Sequence, residues 1–248
     1  MSPSLPKWAV ESGWQSHPLP RRLCARLCPA PPLPADLEPL LAASWRKAQA
    51  ARGGRLFDGR VFSVAHIDEE GLCGHFASYR AIIAQLDAPL LHARLGLRPL
   101  AVCGLIRSAD GIVLGRRALH LGYQPGLWQL PPAGSVDTAG FEGEESDLTA
   151  HFWREVEEEL GLVRADFTTL RPTALLEHPS HVLDLFFVAE TPLGRAEIER
   201  RKEKNGNDEY DCLAIVDEQA LPSWLAAHTA ALAPQTRIFL ALAGYPAC

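Results

Sequence analysis

Arg154-Glu-Val-Glu-Glu-Glu-Leu-Gly-Leu162 is the stretch on which the reading of this chain turns. On a helix, Glu155, Glu158 and Glu159 fall within an arc of about 100°, because positions i, i+3 and i+4 are surface neighbours. Phe152, Trp153, Val156 and Leu160 share the opposite-leaning arc, an apolar face ready to lie on a sheet. The helix is expected over Leu148 to Leu160, with Gly161 where a helix terminates. Three carboxylates that close repel one another by several tenths of a kcal/mol per pair even when exposed. Hard cations such as Mg²⁺ or Mn²⁺ prefer carboxylate oxygen and remove that repulsion. Such a run taken alone reads as a solvated acidic face; its neighbourhood argues otherwise.

Upstream lies Trp128-Gln-Leu-Pro-Pro-Ala-Gly-Ser-Val-Asp137, a strand followed by a Pro–Gly turn. Further out, Leu100 to Arg107 and Ile112 to Arg117 read as strands joined by the hairpin turn Ser108-Ala-Asp-Gly111. More strands are expected at Leu127 to Leu130, Thr173 to Leu176, Leu183 to Glu190 and Cys212 to Val216. Two helices are expected between Leu221 and Tyr245. Before residue 97 the texture differs. His17-Pro-Leu-Pro and Pro29-Ala-Pro-Pro-Leu-Pro34 read as irregular chain. Ala35 to Ala51 has helical spacing (Leu37, Leu40, Leu41, Trp45) and is stopped by Gly53-Gly54. Arg60 to Ala65 and His75 to Arg80 carry strand character, and Ala81 to Leu91 reads as helix. Strands mixed with helices, without βαβ repetition, predict an α/β fold with a mixed sheet. Two regions are expected, an N-terminal α/β layer over 1–96 and a main domain over 97–248.

The chain has 248 residues, 47% hydrophobic and 22% charged, which suffices for a sizeable core. A net charge of −6 argues against a nucleic-acid partner, since counterion release needs a basic excess. No run approaches the roughly 18 apolar residues of a membrane helix, and the N-terminus lacks the apolar core of a signal peptide. A cytoplasmic protein is expected. Cys24, Cys28, Cys73, Cys103, Cys212 and Cys248 follow no disulfide or zinc spacing and read as reduced, mostly buried thiols. His178-Pro-Ser-His181 has metal-like spacing but falls between strands and reads as a turn. Trp14, Trp45 and Trp224 are assigned to packing.

Arg154, Glu155, Glu158, Glu159 and Gly161, with Val156 and Leu162 in the aliphatic positions, resemble the core of the Nudix signature. The resemblance covers roughly Pro99 to Val216 and implies the Nudix α/β/α sandwich, with hydrolysis of the pyrophosphate of a nucleoside diphosphate linked to another moiety. It further implies that Glu155, Glu158 and Glu159 hold the metal, Mg²⁺ or Mn²⁺, and that one of them positions the attacking water. Arg154 then holds the glutamates in place. Gly134 matches the glycine that opens the signature, and the Ala133 carbonyl takes the place of a backbone metal ligand. Nineteen residues separate Gly134 from Arg154, where the family usually has thirteen. The family's isolated loop glutamate could therefore be Glu142, Glu144 or Glu145, with Glu144 or Glu145 favoured.

Gly54-Arg-Leu-Phe-Asp-Gly-Arg-Val-Phe62, Phe76-Ala-Ser-Tyr-Arg80 and Ala109-Asp-Gly-Ile-Val-Leu-Gly-Arg-Arg117 resemble the UDP-glucose pyrophosphatase branch of that family. That branch implies UDP-glucose or UDP-galactose as substrate, UMP and the sugar 1-phosphate as products, and an N-terminal layer that helps bind the nucleotide. Such a reaction needs cations on the phosphoryl group, for which Arg80, Arg116 and Arg117 are candidates. It also needs a slot for the base, for which Phe57, Tyr79 and Tyr123 are available; core packing is the plainer expectation for Phe57. Lys202 to Asp211 reads as a polar, solvated loop before a strand; the resemblance implies an acidic group in the corresponding loop, so that Glu209 or Asp211 could act as general base. ADP-ribose is the rival substrate, because Leu130-Pro-Pro-Ala-Gly-Ser resembles a turn of that group. A nucleotide-binding module without catalysis is the rival of another class. The expected partner is a small nucleotide sugar, with a homodimer left open.

Overall fold

The computed structural model describes residues 4–245. The N-terminal region runs through α1 (Lys7–Glu11), β1 (Gln15–His17), β2 (Cys24–Leu27), α2 (Glu38–Ala51), β3 (Arg60–Asp68), β4 (Gly71–Ser78), α3 (Tyr79–Asp87) and α4 (His92–Leu95). There follow β5 (Leu100–Ser108), β6 (Gly111–Arg117), β7 (Trp128–Gln129), β8 (Ala133–Ser135), β9 (Glu145–Asp147) and α5 (Leu148–Leu160). The chain then continues through β10 (Thr169–Glu177), β11 (Leu183–Glu190), α6 (Arg195–Asn205), β12 (Tyr210–Val216), α7 (Leu221–Ala227) and α8 (Pro234–Leu242).

The main sheet has the order β1-β10-β11-β5-β6-β12 and is mixed, with β11 parallel to β5 and its other pairs antiparallel. β5 and β6 form the expected hairpin, but they pair only at Arg107–Ile112 and Ser108–Gly111 before diverging. The short β7 and β8 fill the opening, β7 on β6 and β8 on β5. Strand alternation gives the sheet two apolar faces. Val102, Leu185 and Phe187 pack with Phe152, Val156 and Leu160 of α5 and Ile198 of α6. Leu105, Phe186 and Val188 pack with Leu221 and Leu225 of α7 and Ile238 and Phe239 of α8. Helices therefore cover both faces, as the Nudix α/β/α sandwich requires.

The second sheet has the order β3-β4-β2-β9. A third cluster, including Leu37, Leu41, Ala81, Ile82 and Leu95, seats α2 and α3 against it. Strands cross residue 97 in both directions. β1 joins the main sheet by pairing Ser16 with Leu176, and β9 joins the second sheet by pairing Ala25 with Ser146.

Helix α5 matches the expected bounds because both ends are specified locally. Asp147 caps it by accepting a hydrogen bond from the Thr149 amide at 2.8 Å, and Gly161 closes it at φ +64°. Other elements depart from the sequence expectation. The strand expected to reach Arg80 ends at Ser78, where α3 begins, and Asp58 Oδ1 accepts from the Arg80 amide at 2.9 Å in its first turn. Lys202 to Asp211 is not one loop, since α6 extends to Asn205. Glu197 pairs with Arg200 and Arg201 along α6, and Ile198 is its one fully buried side chain. The expected turn at His178 to His181 is present, with the His178 amide donating to the Val182 carbonyl. Trp14 lies in the core, while Trp45 and Trp224 stand edge-on to Tyr79 and Trp128. Of the cysteines, Cys24, Cys73 and Cys103 are buried and Cys212 is exposed; Cys248 lies outside the described residues. Among the described residues no helix is long and apolar enough to cross a membrane.

Candidate active site

The apolar face of α5 fixes where its carboxylates go. Glu155 and Glu159 lie one turn apart on the side facing β8, and both are buried, Glu159 completely. The Ala133 amide donates to both oxygens of Glu159, at 3.1 and 3.2 Å. Glu155 presses against Gly134, where an added Cβ would fall inside the carboxylate group. That close approach explains the glycine at this position. The Glu158 side chain is half exposed. Arg154 reaches Asp137 at 2.9 Å and lies 3.5 Å from both Glu155 and Glu158.

A cavity of about 350 Å³ opens beside this strand–helix contact, within the range of small-ligand sites. Its walls come from both layers: Val61, Tyr79, Ile82 and Leu86 from the N-terminal region, and Glu155, Gly134, Arg117 and Glu209 from the main domain. Arg117 is nearly buried and donates to Glu209 Oε1 at 2.6 Å and to the Tyr123 carbonyl at 2.9 Å. At the centre of the sheet, Asp184 and Cys103 line the same cavity.

The electrostatics are those of carboxylates held out of water. Burial, reinforced by the Glu158 charge, pushes Glu155 up to about 7. Burial lifts Glu159 well above the usual carboxylate range, and the charges of Glu209 and Glu155 add to the lift. Asp184 is pushed up to about 7 by burial, against a small opposing effect of the Cys103 thiol. Tyr123 is raised to about 12, again chiefly by burial.

The sequence candidates separate in space. Tyr79, Arg117, Tyr123, Ala133, Gly134, Glu155 and Glu209 line the cavity. Arg80, Arg116, Asp211 and Phe57 do not. Arg80 is engaged by Glu38 at 2.6 Å and by Asp58, and Arg116 by Asp211 at 2.8 Å. Phe57 is 84% exposed, so it is not in the core either. The loop glutamates are drawn to the second sheet. Glu145 sits in β9 beside Arg22, and the Glu144 carbonyl accepts from the Leu27 amide. Asp184, which also lines the cavity, is not among the sequence candidates. Its signal was a charge inside Leu183-Asp-Leu-Phe-Phe-Val-Ala189, an otherwise apolar run of a central strand.

The donor set fits a hard divalent cation. Glu155 and Glu159 offer the carboxylate oxygens that such a cation takes, raised in proton affinity first by burial, and Glu158 is a third, half-exposed carboxylate on the same helix. As they stand, no three His, Cys, Asp or Glu side chains among the described residues converge closely enough to hold a metal ion.

Residues 97–234, more than half of the chain, match the NUDIX domain family, and the chain belongs to it. It is accordingly a Nudix-type pyrophosphatase, a hydrolase acting on acid anhydrides. No curated protein matches the chain. Among solved structures it is similar to the NUDIX domain of Shewanella oneidensis NrtR complexed with ADP ribose. That pair shares 15% identity, covering 58% of this chain and 85% of the other, with a TM-score of 0.42. A NUDIX hydrolase from Nitrosomonas europaea gives 19% identity, 60% and 92% coverage and a TM-score of 0.42.

Two outcomes follow from this geometry. Gly134→Ala should cost about 1–3 kcal/mol through overpacking against Glu155. Adding Glu155→Ala should recover most of that loss, a non-additivity read from urea unfolding midpoints. Independent costs that simply add would remove the close-contact account. For Asp184, the folded state holds its proton more tightly than the unfolded chain, so between about pH 4 and pH 7 folding binds a proton. Stability relative to Asp184→Asn should therefore fall as pH rises through that window, by on the order of 2–4 kcal/mol, and level off above it. Parallel pH profiles of the two proteins would contradict this.

Proposed function

We propose that this protein hydrolyses the pyrophosphate bond of a nucleotide sugar, UDP-glucose or UDP-galactose, to UMP and the sugar 1-phosphate. The observation that carries the reading is the two-sided cavity. Its diphosphate end would be the Nudix strand–helix contact at Gly134 and Glu155, and the N-terminal layer supplies Val61, Tyr79, Ile82 and Leu86 to the same lining. That layer includes Tyr79, which belongs to one of the sequence stretches that resemble the UDP-sugar branch. In this reading the 1–96 region is part of the substrate site and works as one unit with the 97–248 domain.

Glu155, Glu158 and Glu159 would hold Mg²⁺ or Mn²⁺, with the Ala133 carbonyl as a further oxygen ligand. When bound, the cation neutralises the diphosphate and makes a water easier to deprotonate. The protein groups do the rest. Arg117 places a buried guanidinium on the cavity wall, where it can meet charge gathering on the phosphoryl group. Glu209 sits on that guanidinium and faces the cavity, which makes it the better placed of the two candidate bases. Water oxygen forms the new bond to phosphorus, its proton passes to Glu209, and the bridging P–O bond breaks with its electron pair leaving on the departing phosphate. Arg154 keeps Glu155 and Glu158 oriented.

Hydrolysis of UDP-glucose and of ADP-ribose, each with and without Mg²⁺, tests the reading directly. Metal-dependent UMP release from UDP-glucose supports it. Cleavage of ADP-ribose alone would keep the mechanism and discard the sugar branch. Binding of UDP-glucose without turnover would leave a non-catalytic nucleotide-binding module.

Glu158→Gln should lower turnover by two or more orders of magnitude, about the scale of lost metal activation, with the circular dichroism spectrum unchanged. Glu209→Gln should lower kcat by about 10²–10⁴-fold with little change in KM, whereas Asp211→Asn should match wild type. An equal effect of both, or a loss confined to Asp211→Asn, would move the base elsewhere.

A further inference from the structure

We propose that Asp184 reads the glycosyl unit of the substrate, its carboxylate accepting hydrogen bonds from two neighbouring sugar hydroxyls. The inference rests on the nucleotide-sugar reading above and names the residue that would select the sugar.

The first observation is where the charge lies. β11 sits between β10 and β5. Leu183 and Leu185, on either side of Asp184, are completely buried on the opposite face. Asp184 itself is 7% exposed. A carboxyl group in such a strand is costly unless something meets it. What meets it within the chain is weak. Among the described residues its hydrogen bond comes from the Cys103 thiol at 3.5 Å, and no arginine, lysine or histidine pairs with it. The group lines the cavity, so its free acceptor capacity is turned towards whatever the cavity holds.

The second observation is a ruler built into the sheet. Asp184 is in register with Ala101 on β5, and Ala101 with Ser135 on β8. Two strand spacings, roughly 10 Å, therefore separate Asp184 from the 133–135 segment on which Glu155 and Glu159 rest. A diphosphate held at Glu155 would place the attached unit, rather than a phosphate, at Asp184. The carboxylate would repel a phosphate in any case.

The third consideration is donor geometry. A carboxylate offers two acceptor oxygens in a fork, and hydroxyls on adjacent ring carbons present two donors to match. Uracil presents one N–H flanked by two carbonyls, so the second carboxylate oxygen would face a lone pair. The sugar fits the group better than the base does.

The test is steady-state kinetics of the full-length protein and of Asp184→Asn, with Mg²⁺, on UDP-glucose, on its 2-, 3-, 4- and 6-deoxyglucosyl analogues, and on ADP-glucose. The variant should lose about 10–100-fold in kcat/KM on UDP-glucose. On an analogue that already lacks a hydroxyl Asp184 reads, variant and wild type should agree within about twofold. No loss on UDP-glucose, or the same loss on every deoxyglucosyl analogue, overturns the assignment. A loss that is uniform across those analogues and vanishes on ADP-glucose assigns Asp184 to the base and equally overturns it. Asparagine keeps the shape and removes a buried charge, so the variant should melt at or above the wild-type temperature; Asp184→Ser serves as a second variant. Should wild type not hydrolyse UDP-glucose, calorimetric titration with UDP-glucose separates the two claims. Binding that Asp184→Asn weakens would uphold the sugar contact and remove the hydrolase reading, and absence of binding would remove both.

Discussion

Two carboxylates buried beneath a three-residue strand are the constraint around which this molecule is arranged. Glu155 and Glu159 cannot lie against Ala133 and Gly134 unless three conditions hold together. Residue 134 must lack a side chain, the Ala133 amide must be free to donate, and α5 must be pressed onto the sheet hard enough to carry both acids out of water. The last condition is met by Phe152, Val156 and Leu160, whose burial gains about 1.5–3 kcal/mol each. The amide bonds to Glu159 are worth about 1.5–3 kcal/mol, as for other hydrogen bonds to charged groups. The strand is itself available because β5 and β6 part after two residue pairs and leave an edge for β8 to occupy. Hairpin geometry, helix packing and carboxylate burial thus depend on one another.

The N-terminal layer completes what the main domain leaves open. Tyr79, Ile82 and Leu86 of α3 line the cavity together with Arg117 and Glu209. The seam is held by backbone and buried polar contacts. Gln85 bonds both the amide and the carbonyl of Leu97, Ser63 accepts from the Arg98 amide, and Glu177 gathers His17, Arg98 and His181. Those three hydrogen bonds hold the Glu177 carboxyl far below the usual carboxylate range, even against its burial.

What the sequence made legible follows from how local the signals were. Helix α5 announced itself through its apolar spacing and Gly161, both local to the helix. The β5–β6 hairpin did so through Asp110-Gly111. Helix α6 was missed because it carries a single buried apolar side chain and is supported by charge pairs. β2 and β9 were missed because each is short and is a strand only through partners far along the chain, β2 between β4 and β9, and β9 on β2. The same distinction governs the site. The glutamate triplet is a local pattern, and its spacing identified it. Arg80 and Arg117 looked alike as arginines beside strands; they are separated by Glu38 and Glu209, partners 42 and 92 residues away. Asp184 was hidden because its neighbours read as ordinary core, and only the folded sheet shows which face it occupies.

The exchange of strands across residue 97 bears on how the chain can assemble during synthesis. β1 must wait for β10, about 160 residues later, and the second sheet gains its edge strand only once residue 147 has emerged. The first ninety-odd residues therefore leave the ribosome without a finished fold, their strand edges unpaired and open to wrong partners. Contacts of such long sequence separation form slowly. The two sheets are interlocked, and neither could be cut away or transplanted at residue 97 without taking a strand from the other.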